Sequence, residues 1–391
     1  MKKTLLALVA ASAYMANAQA QSSVTLYGIL DEGVMFLSNA GGATGGRKIT
    51  LDSTNGISSS RWGLKGIEDL GGGLQAIFTL EPGVNLNNGA FAQGGTPFGR
   101  QAFVGLNSSR FGSLTLGRQY DMVFYFAQPV TALGTQAGST AFMHPGDLDN
   151  AGNSVRVNNA IRYMSPNFGG LTFGGEYSVG GVAGNVTANS GYSIGAAYAN
   201  GPLILGAAFE YFKDPTGSPS SGFFTDTVGG SSQLAYSLNS GYASATSYQV
   251  GIVGAGYTVG PVTVTTSYSN VQYGNLTHGF DGATARFNNV DVAVRYMYSP
   301  FLFFSAGYDY LKGAGVTKAD GSSVGNQHFN QFSLLADYLL SKRTDVYLEG
   351  TWQRASGTSS LGTAAVADIG NLGDSANRNQ ALVRAALRVR F

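Results

Sequence analysis

The chain has 391 residues, 43% of hydrophobic types but only 12% charged, with a net charge of +1 and no Cys. Without Cys it is neither a disulfide scaffold nor a Cys-ligated zinc protein. A charged share about half the ~25% of soluble domains means that much of its surface does not face bulk water. The near-neutral balance gives no argument for nucleic acid as partner. Gly is abundant at 57 residues, without the three-residue period of collagen.

Met1-Lys2-Lys3-Thr4, the apolar stretch Leu5 to Ala13 and the small-residue triplet Ala18-Gln19-Ala20 read as a secretory signal cut after residue 20. The mature chain is then expected to span 21–391. No later run of about 18 apolar residues offers a helical membrane span.

Beyond the signal, short connections rich in Gly, Pro, Asn or Ser recur at 68–73, 107–110, 165–170, 200–202, 259–261, 299–300 and 341–343. Long polar stretches lie between them, near 38–56, 83–97, 120–155, 181–190, 213–245, 274–284, 312–326 and 355–377. Seven short turns and eight long loops make fifteen connections, which join sixteen strands; fourteen or eighteen follow if one hairpin is divided differently. Short turns on one side and long loops on the other are the asymmetry of bacterial outer-membrane barrels.

The intervening segments alternate with a period of two. From Asn289 to Tyr298, Val290, Val292, Val294, Tyr296 and Tyr298 share one face against Asn289, Asp291, Ala293, Arg295 and Met297. Phe332, Leu334, Ala336, Tyr338 and Leu340 form a second such face; Val346, Leu348, Gly350 and Trp352 form a third. Each is a two-faced strand. A soluble sandwich would use strands of about five or six residues, whereas these run about ten, the length of a tilted membrane-spanning strand. Aromatic residues at segment ends match the girdles of such barrels. In lipid the sheet must close on itself, so the fold class is an all-β transmembrane antiparallel barrel. At the C-terminus, Leu387, Val389 and Phe391 alternate with Arg384, Arg388 and Arg390, which places the three Arg in the watery interior and Phe391 at the end of the closing strand.

Several segments resemble general porins of the betaproteobacterial type. They are Ser23-Val24-Thr25-Leu26-Tyr27-Gly28 with the following Ile29 to Val34, Ser60 to Gly66, Phe98 to Leu106, Phe111 to Gln119, and the terminal Phe391. The resemblance covers the mature chain. It implies a sixteen-stranded homotrimer in the bacterial outer membrane, among lipid and lipopolysaccharide, that passes small hydrophilic solutes and ions. It also implies that Phe391 marks the chain for assembly and that the third external loop, 120–155, folds into the lumen and narrows it.

A passive pore needs a constriction whose width and field sort solutes, rather than catalytic groups, cofactors or metals. With Trp62 and Leu64 toward lipid, Arg61 and Lys65 face the lumen. Arg100 opens a strand in which Ala102 and Val104 share its face, and Arg162 lies between outward Ile161 and Tyr163. The family places a basic cluster on the wall at such positions, so Arg61, Lys65, Arg100, Arg118 and Arg162, with Asp121 opposite, are the candidate constriction residues. Between Met122 and Gly146 the loop has no acidic residue, which leaves a modest anion preference. Two other readings compete. Phe124 to Phe126 suit a substrate-specific channel that stacks a solute. His144, His278 and His328 are the histidines a barrel hydrolase would need, although none lies beside an obvious nucleophile. The pair Asp147 and Asp149 lacks the remaining oxygen ligands of a Ca²⁺ loop.

Overall fold

The computed structural model describes residues 22–41, 44–135, 139–216, 223–225, 234–370 and 372–391. The signal segment lies outside the described residues. Period-two alternation appears directly as alternating exposure: Val290, Val292, Val294, Tyr296 and Tyr298 are exposed, whereas Asn289, Asp291 and Ala293 are buried. The same holds for Phe332, Leu334 and Tyr338 against Ser333, Leu335 and Asp337.

Sixteen strands carry this pattern around a closed antiparallel barrel. They are β1 Ser23–Ala40, β2 in two parts Gly46–Asp52 and Arg61–Gly71, β3 Leu74–Glu81, β4 Gln101–Ser108 and β5 Gly112–Gln119. There follow β6 Val157–Met164, β7 Leu171–Ser178, β8 Gly191–Asn200, β9 Leu203–Lys213, β10 Ala245–Val259 and β11 Val262–Leu276. The last are β12 Ala285–Ser299, β13 Leu302–Gly313, β14 Gln327–Leu339, β15 Thr344–Gly357 and β16 Asn379–Arg390. Each pairs with its sequence neighbours, and β16 returns to β1 in a ladder from Ile29↔Arg390 to Leu37↔Leu382. Closure satisfies the edge N–H and C=O groups, each of which would cost several kcal/mol unpaired in hydrocarbon.

The second strand departs from the expected stretch 38–56. Gly46–Asp52 is already strand, because outward Ile49 and Leu51 continue the apolar face beside Phe36 and Val34 of β1. The strand breaks where the Asp52 carboxylate accepts the N–H groups of Thr54 and Asn55 at 3.1 and 2.7 Å. The chain then makes an excursion over residues 53–60, held by Ser58 N–H on Asp31 Oδ2 at 3.1 Å and Ile57 N–H on the Tyr347 hydroxyl at 3.1 Å. Pairing with β1 resumes at Arg61. The wall is also uneven in length. Strands β3 to β7 have 8 residues each, shorter than the expected ten, whereas β10 to β12 have 15.

The Arg residues of β16 point inward as expected, but Arg384 and Arg388 meet carboxylates rather than bulk water. Arg384 lies 2.9 Å from Asp31 Oδ1 and donates to the Asp52 carbonyl at 2.8 Å. Arg388 Nε contacts both Asp345 oxygens at 3.1 Å, and Arg390 reaches the same carboxylate at 3.1 Å. A guanidinium withdrawn from water needs this countercharge.

The terminal Phe391 exchanges both backbone hydrogen bonds with Gly28 at 3.0 Å. Its ring lies over Gly28, where an added Cβ would come within 2.4 Å of the ring. Gly28→Val should therefore displace Phe391 and weaken closure. The expected outcome is a clearly smaller fraction of folded, heat-modifiable barrel on gel electrophoresis; an unchanged fraction would show that the ring's seat is dispensable.

Candidate functional site

The polar groups of the interior converge where β1, β2, β3 and β4 meet the segment 120–155. Glu81 ends β3 on the inward face, and the Arg100 N–H bonds the Glu81 carbonyl at 3.1 Å, closing the connection between β3 and β4. The Glu81 carboxylate accepts from Arg100 Nε at 2.9 Å, from the Tyr120 hydroxyl at 2.7 Å and from the Tyr27 hydroxyl at 2.8 Å. Arg61 Nε stands 3.9 Å away, while its Nη1 donates to the Ser59 carbonyl at 3.1 Å. The excursion 53–60 thus props the first side chain of the resumed strand. Arg100 and Arg156 both lie over the Tyr120 ring, at 5.7 and 5.9 Å from its centroid.

These groups line a cavity of about 600 Å³, with Arg61, Arg100 and Arg156 on its wall and Tyr120, Phe124, Tyr125 and Gln128 completing it. A second hollow of about 270 Å³, lined by Thr54, Asn55, Thr140 and Met143, adjoins it. The two share Ser59, Gly152, Asn153 and Arg156, which form a neck between them. Three guanidiniums and one carboxylate, already saturated by three donors, leave the cavity positive. Burial, and then the neighbouring Arg100 charge, hold Arg156 below the usual guanidinium range, at about 9, so it is still cationic at neutral pH.

Of the candidate constriction residues, Arg61 and Arg100 line this cavity; so do Phe124 and Tyr125 of the stacking reading. Arg100 precedes its strand, so the alternation that would have grouped it with outward Val104 does not apply. Lys65 shares the face of Arg61 but lies further down the strand, exposed, with Nζ 5.5 Å from the Tyr27 ring centroid. Arg118 donates to the Gly99 carbonyl at 3.0 Å and to Asn158 Oδ1 at 2.6 Å. Arg162 is buried behind the cavity, bonding the Tyr125 hydroxyl at 2.7 Å and lying 4.6 Å from that ring's centroid. Asp121 turns away from the cavity: it accepts the Phe124 N–H at 2.8 Å and the Asn150 amide at 2.5 Å, and burial raises its pKa to about 6. It shapes the entry into the segment rather than its field.

Glu81, Tyr27, Tyr120 and Arg156 escaped the sequence reading. For Glu81 a signal existed, since Gln75, Ile77, Thr79 and Glu81 alternate with outward-facing Leu80 and Phe78. Arg156 follows the Arg-free stretch 120–155 by one residue, outside the periodic strand.

The segment 120–155 makes its contacts with inward side chains. Phe126 packs on β9 where Gly206 leaves room; a Cβ there would sit 2.1 Å from the Phe126 carbonyl oxygen. Farther along, Ser139 bonds Glu349, and Ser333 and Thr351 bond the Ala141 carbonyl. His144 is buried between Asp149 at 2.7 Å and Asp291 at 2.8 Å, with Asp309 at 3.7 Å. Asp291 also accepts the Ala132 N–H at 2.8 Å, and Asp149 the Ser269 hydroxyl at 2.6 Å. Both ring nitrogens of His144 therefore point at carboxylates, which suits an imidazolium clamp between the segment and strands β11 to β13. His278 bonds Thr277 at 3.0 Å in an exposed loop and His328 lies outward by Tyr310 at 3.2 Å, so the three histidines do not converge.

A closed sixteen-stranded barrel, lipid-facing outside and charged within, is the architecture of an outer-membrane channel. The sequence matches the Gram-negative porin family over residues 4–358. It is 33% identical to an outer membrane porin of Bordetella pertussis, covering 90% of this chain and 94% of the relative. It is 36% identical to outer membrane porin protein 32 of Delftia acidovorans, covering 65% and 72% of the two chains. An anion-selective porin from Comamonas acidovorans superposes with a TM-score of 0.69 at 22% identity, covering 95% of this chain and all of that one. The chain belongs to the Gram-negative porin family, and its place is the bacterial outer membrane.

His144 supplies the test of the clamp. The carboxylates hold its pKa well above 6.5 against the opposing effect of burial. A raised folded pKa gives stabilisation that is complete below the unfolded value and disappears as pH rises through the folded one. The clamp should accordingly hold at neutral pH and release only in alkaline solution. His144→Gln should lower the denaturation midpoint measurably at neutral pH, removing a buried charge partner worth about 3–5 kcal/mol. Adding Asp291→Asn should restore part of the loss; no loss in the single variant would show that the His144 ring is uncharged in the folded protein.

Proposed function

We propose that the protein is a diffusion porin with a modest anion preference, in which the segment 120–155 lies inside the lumen and narrows it against the Arg61–Arg100–Arg156 wall. The observation that carries this reading is the cavity where three guanidiniums face one carboxylate. Its uncompensated positive charge, in a low-dielectric surround, concentrates anions and repels cations. The family's channel architecture and the anion-selective Comamonas neighbour agree with it. Small hydrophilic solutes and ions are the cargo, and the chemistry is passage rather than turnover.

The same reading includes a homotrimer. Glu32 of β1 faces outward opposite Leu387 of β16, between Leu30 and Val34, and is bonded by Asn87 at 3.4 Å. A carboxylate on an apolar outer face is disfavoured against lipid and suits contact with a neighbouring copy. The anionic lipopolysaccharide of the outer leaflet is the remaining expected partner.

Reversal potentials in a salt gradient test selectivity. The wild type should favour chloride over potassium, and clear cation preference would refute the proposal. Arg61→Ala or Arg156→Ala should lower the permeability ratio roughly twofold or more, whereas Glu81→Gln should raise it. A Glu81→Gln channel less anion-selective than wild type would show that Glu81 acts chiefly by holding Arg100 in place.

A further inference from the structure

Three glutamines form one row across the inward faces of β14, β15 and β16. Gln331 is the cross-strand partner of Gln353, and Gln353 of Gln380. All three are buried, and none lines the cationic cavity. Each bonds the backbone of a long connection rather than another part of the wall. Gln331 Nε2 donates to the Met143 carbonyl at 2.9 Å. Gln353 Nε2 donates to the Asp368 carbonyl at 2.9 Å, while its Oε1 accepts the Asp368 N–H at 2.6 Å. Gln380 Oε1 accepts the Ile369 N–H at 3.0 Å. Gln353 Nε2 also donates to Gln331 Oε1 at 2.9 Å, so the grip on the loop 355–377 is bonded to the grip on the segment 120–155.

A residue of backbone offers one donor and one acceptor, and a neutral amide side chain answers both. A carboxylate could take only the N–H, and a guanidinium only the carbonyl. The two elements also meet directly. Ala367, Asp368 and Ile369 are fully buried, and Ile369 belongs to one apolar cluster with Ile57, Ala141 and Phe142. Gly370, at φ 54°, lies so close to Thr140 that a Cβ would come within 2.8 Å of its Cγ2. Thr140 and Met143 in turn line the smaller hollow, which shares its neck with the cationic cavity. The stretch 140–143 is therefore backed by the loop and borders the hollow.

Glutamines that merely lined a water column would leave their amides to solvent; these commit them to backbone. We infer that Gln331, Gln353 and Gln380 are positioning residues of the pore, which lock the loop 355–377 against the segment 120–155 so that the two narrow the lumen as one body. The inference rests on the narrowing proposed above and adds the device that sets its width. It is separate from selectivity, since the row carries no charge and lies away from Arg61, Arg100 and Arg156. Released from Gln353, the loop would no longer back Thr140 and Met143, and the hollow would widen at their expense.

Single-channel recording and amide hydrogen exchange of the folded protein test it. Gln353→Met keeps the length of the side chain and removes its hydrogen bonds. It should raise single-channel conductance by roughly 1.5-fold or more. It should also speed exchange in 367–370 and in 140–143 together, by at least about tenfold. Barrel closure, read as heat-modifiable mobility, should stay as in the wild type. Ile369→Ser frees the loop from its apolar side and should give the same rise in conductance; adding Gln353→Met to it should give no more. That non-additivity separates residues acting through the loop from residues that only stabilise the wall. Gln272→Met, on the outward face of β11, should leave conductance unchanged. Wild-type conductance and exchange in both single variants would overturn the inference, and so would additive rises or faster exchange confined to 367–370. Absence of conductance in the wild type would count against the channel reading alone, because coupled exchange would still report the lock between the two elements.

Discussion

Hydrocarbon offers a backbone no hydrogen-bond partner, and the rest of the molecule follows from that constraint. A chain that crosses as strands must pair every edge, so β16 has to return to β1. Once closed, the period of two leaves no freedom in where side chains go: each residue faces either lipid or the interior. The low charged fraction and the apolar positions of the strands are consequences of one face being hydrocarbon-solvated. The other face then receives most of the charge of the wall.

Concentrating charge inside creates a second problem, since buried ions need partners. The molecule meets it in two ways. Arg384 with Asp31 and Arg388 with Asp345 are nearly balanced pairs that fix the wall and the excursion 53–60. At the cationic cavity the balance is incomplete: Glu81 has three strong donors, while Arg61 and Arg156 are satisfied mainly by backbone carbonyls. A carbonyl orients a guanidinium without cancelling its charge. The paired wall and the positive cavity therefore use the same residue types with different partners.

The sequence disclosed what periodicity can encode. Val290 to Tyr298 and Phe332 to Tyr338 show their outward faces by alternation alone, and the turns at 200–202, 259–261 and 299–300 fall where the strands end. Closure at Phe391 was legible for the same reason. What escaped lies where alternation stops. Gly46–Asp52 was hidden because Arg47 and Lys48 made its neighbourhood look like loop. Arg100 and Arg156 each precede a strand, so their direction is set by the bond to Glu81 and by the Tyr120 ring rather than by pleat. His144 sits in an aperiodic segment, and its partners Asp291 and Asp309 are 147 and 165 residues away. Nothing local marks such a meeting; it exists only once the barrel has set the register of β12 and β13.

The uneven wall connects these observations. The cationic cavity is lined from β2, β3 and β4, while the longer strands β12, β14 and β15 hold the segment 120–155 through Asp291, Ser333 and Glu349. A substitution that shifted the register of β12 by one residue would place Asp291 against lipid and Val290 in the interior, and one that shifted β13 would do the same to Asp309 and Tyr310. Either shift would take a carboxylate away from His144 and so loosen the hold on the segment.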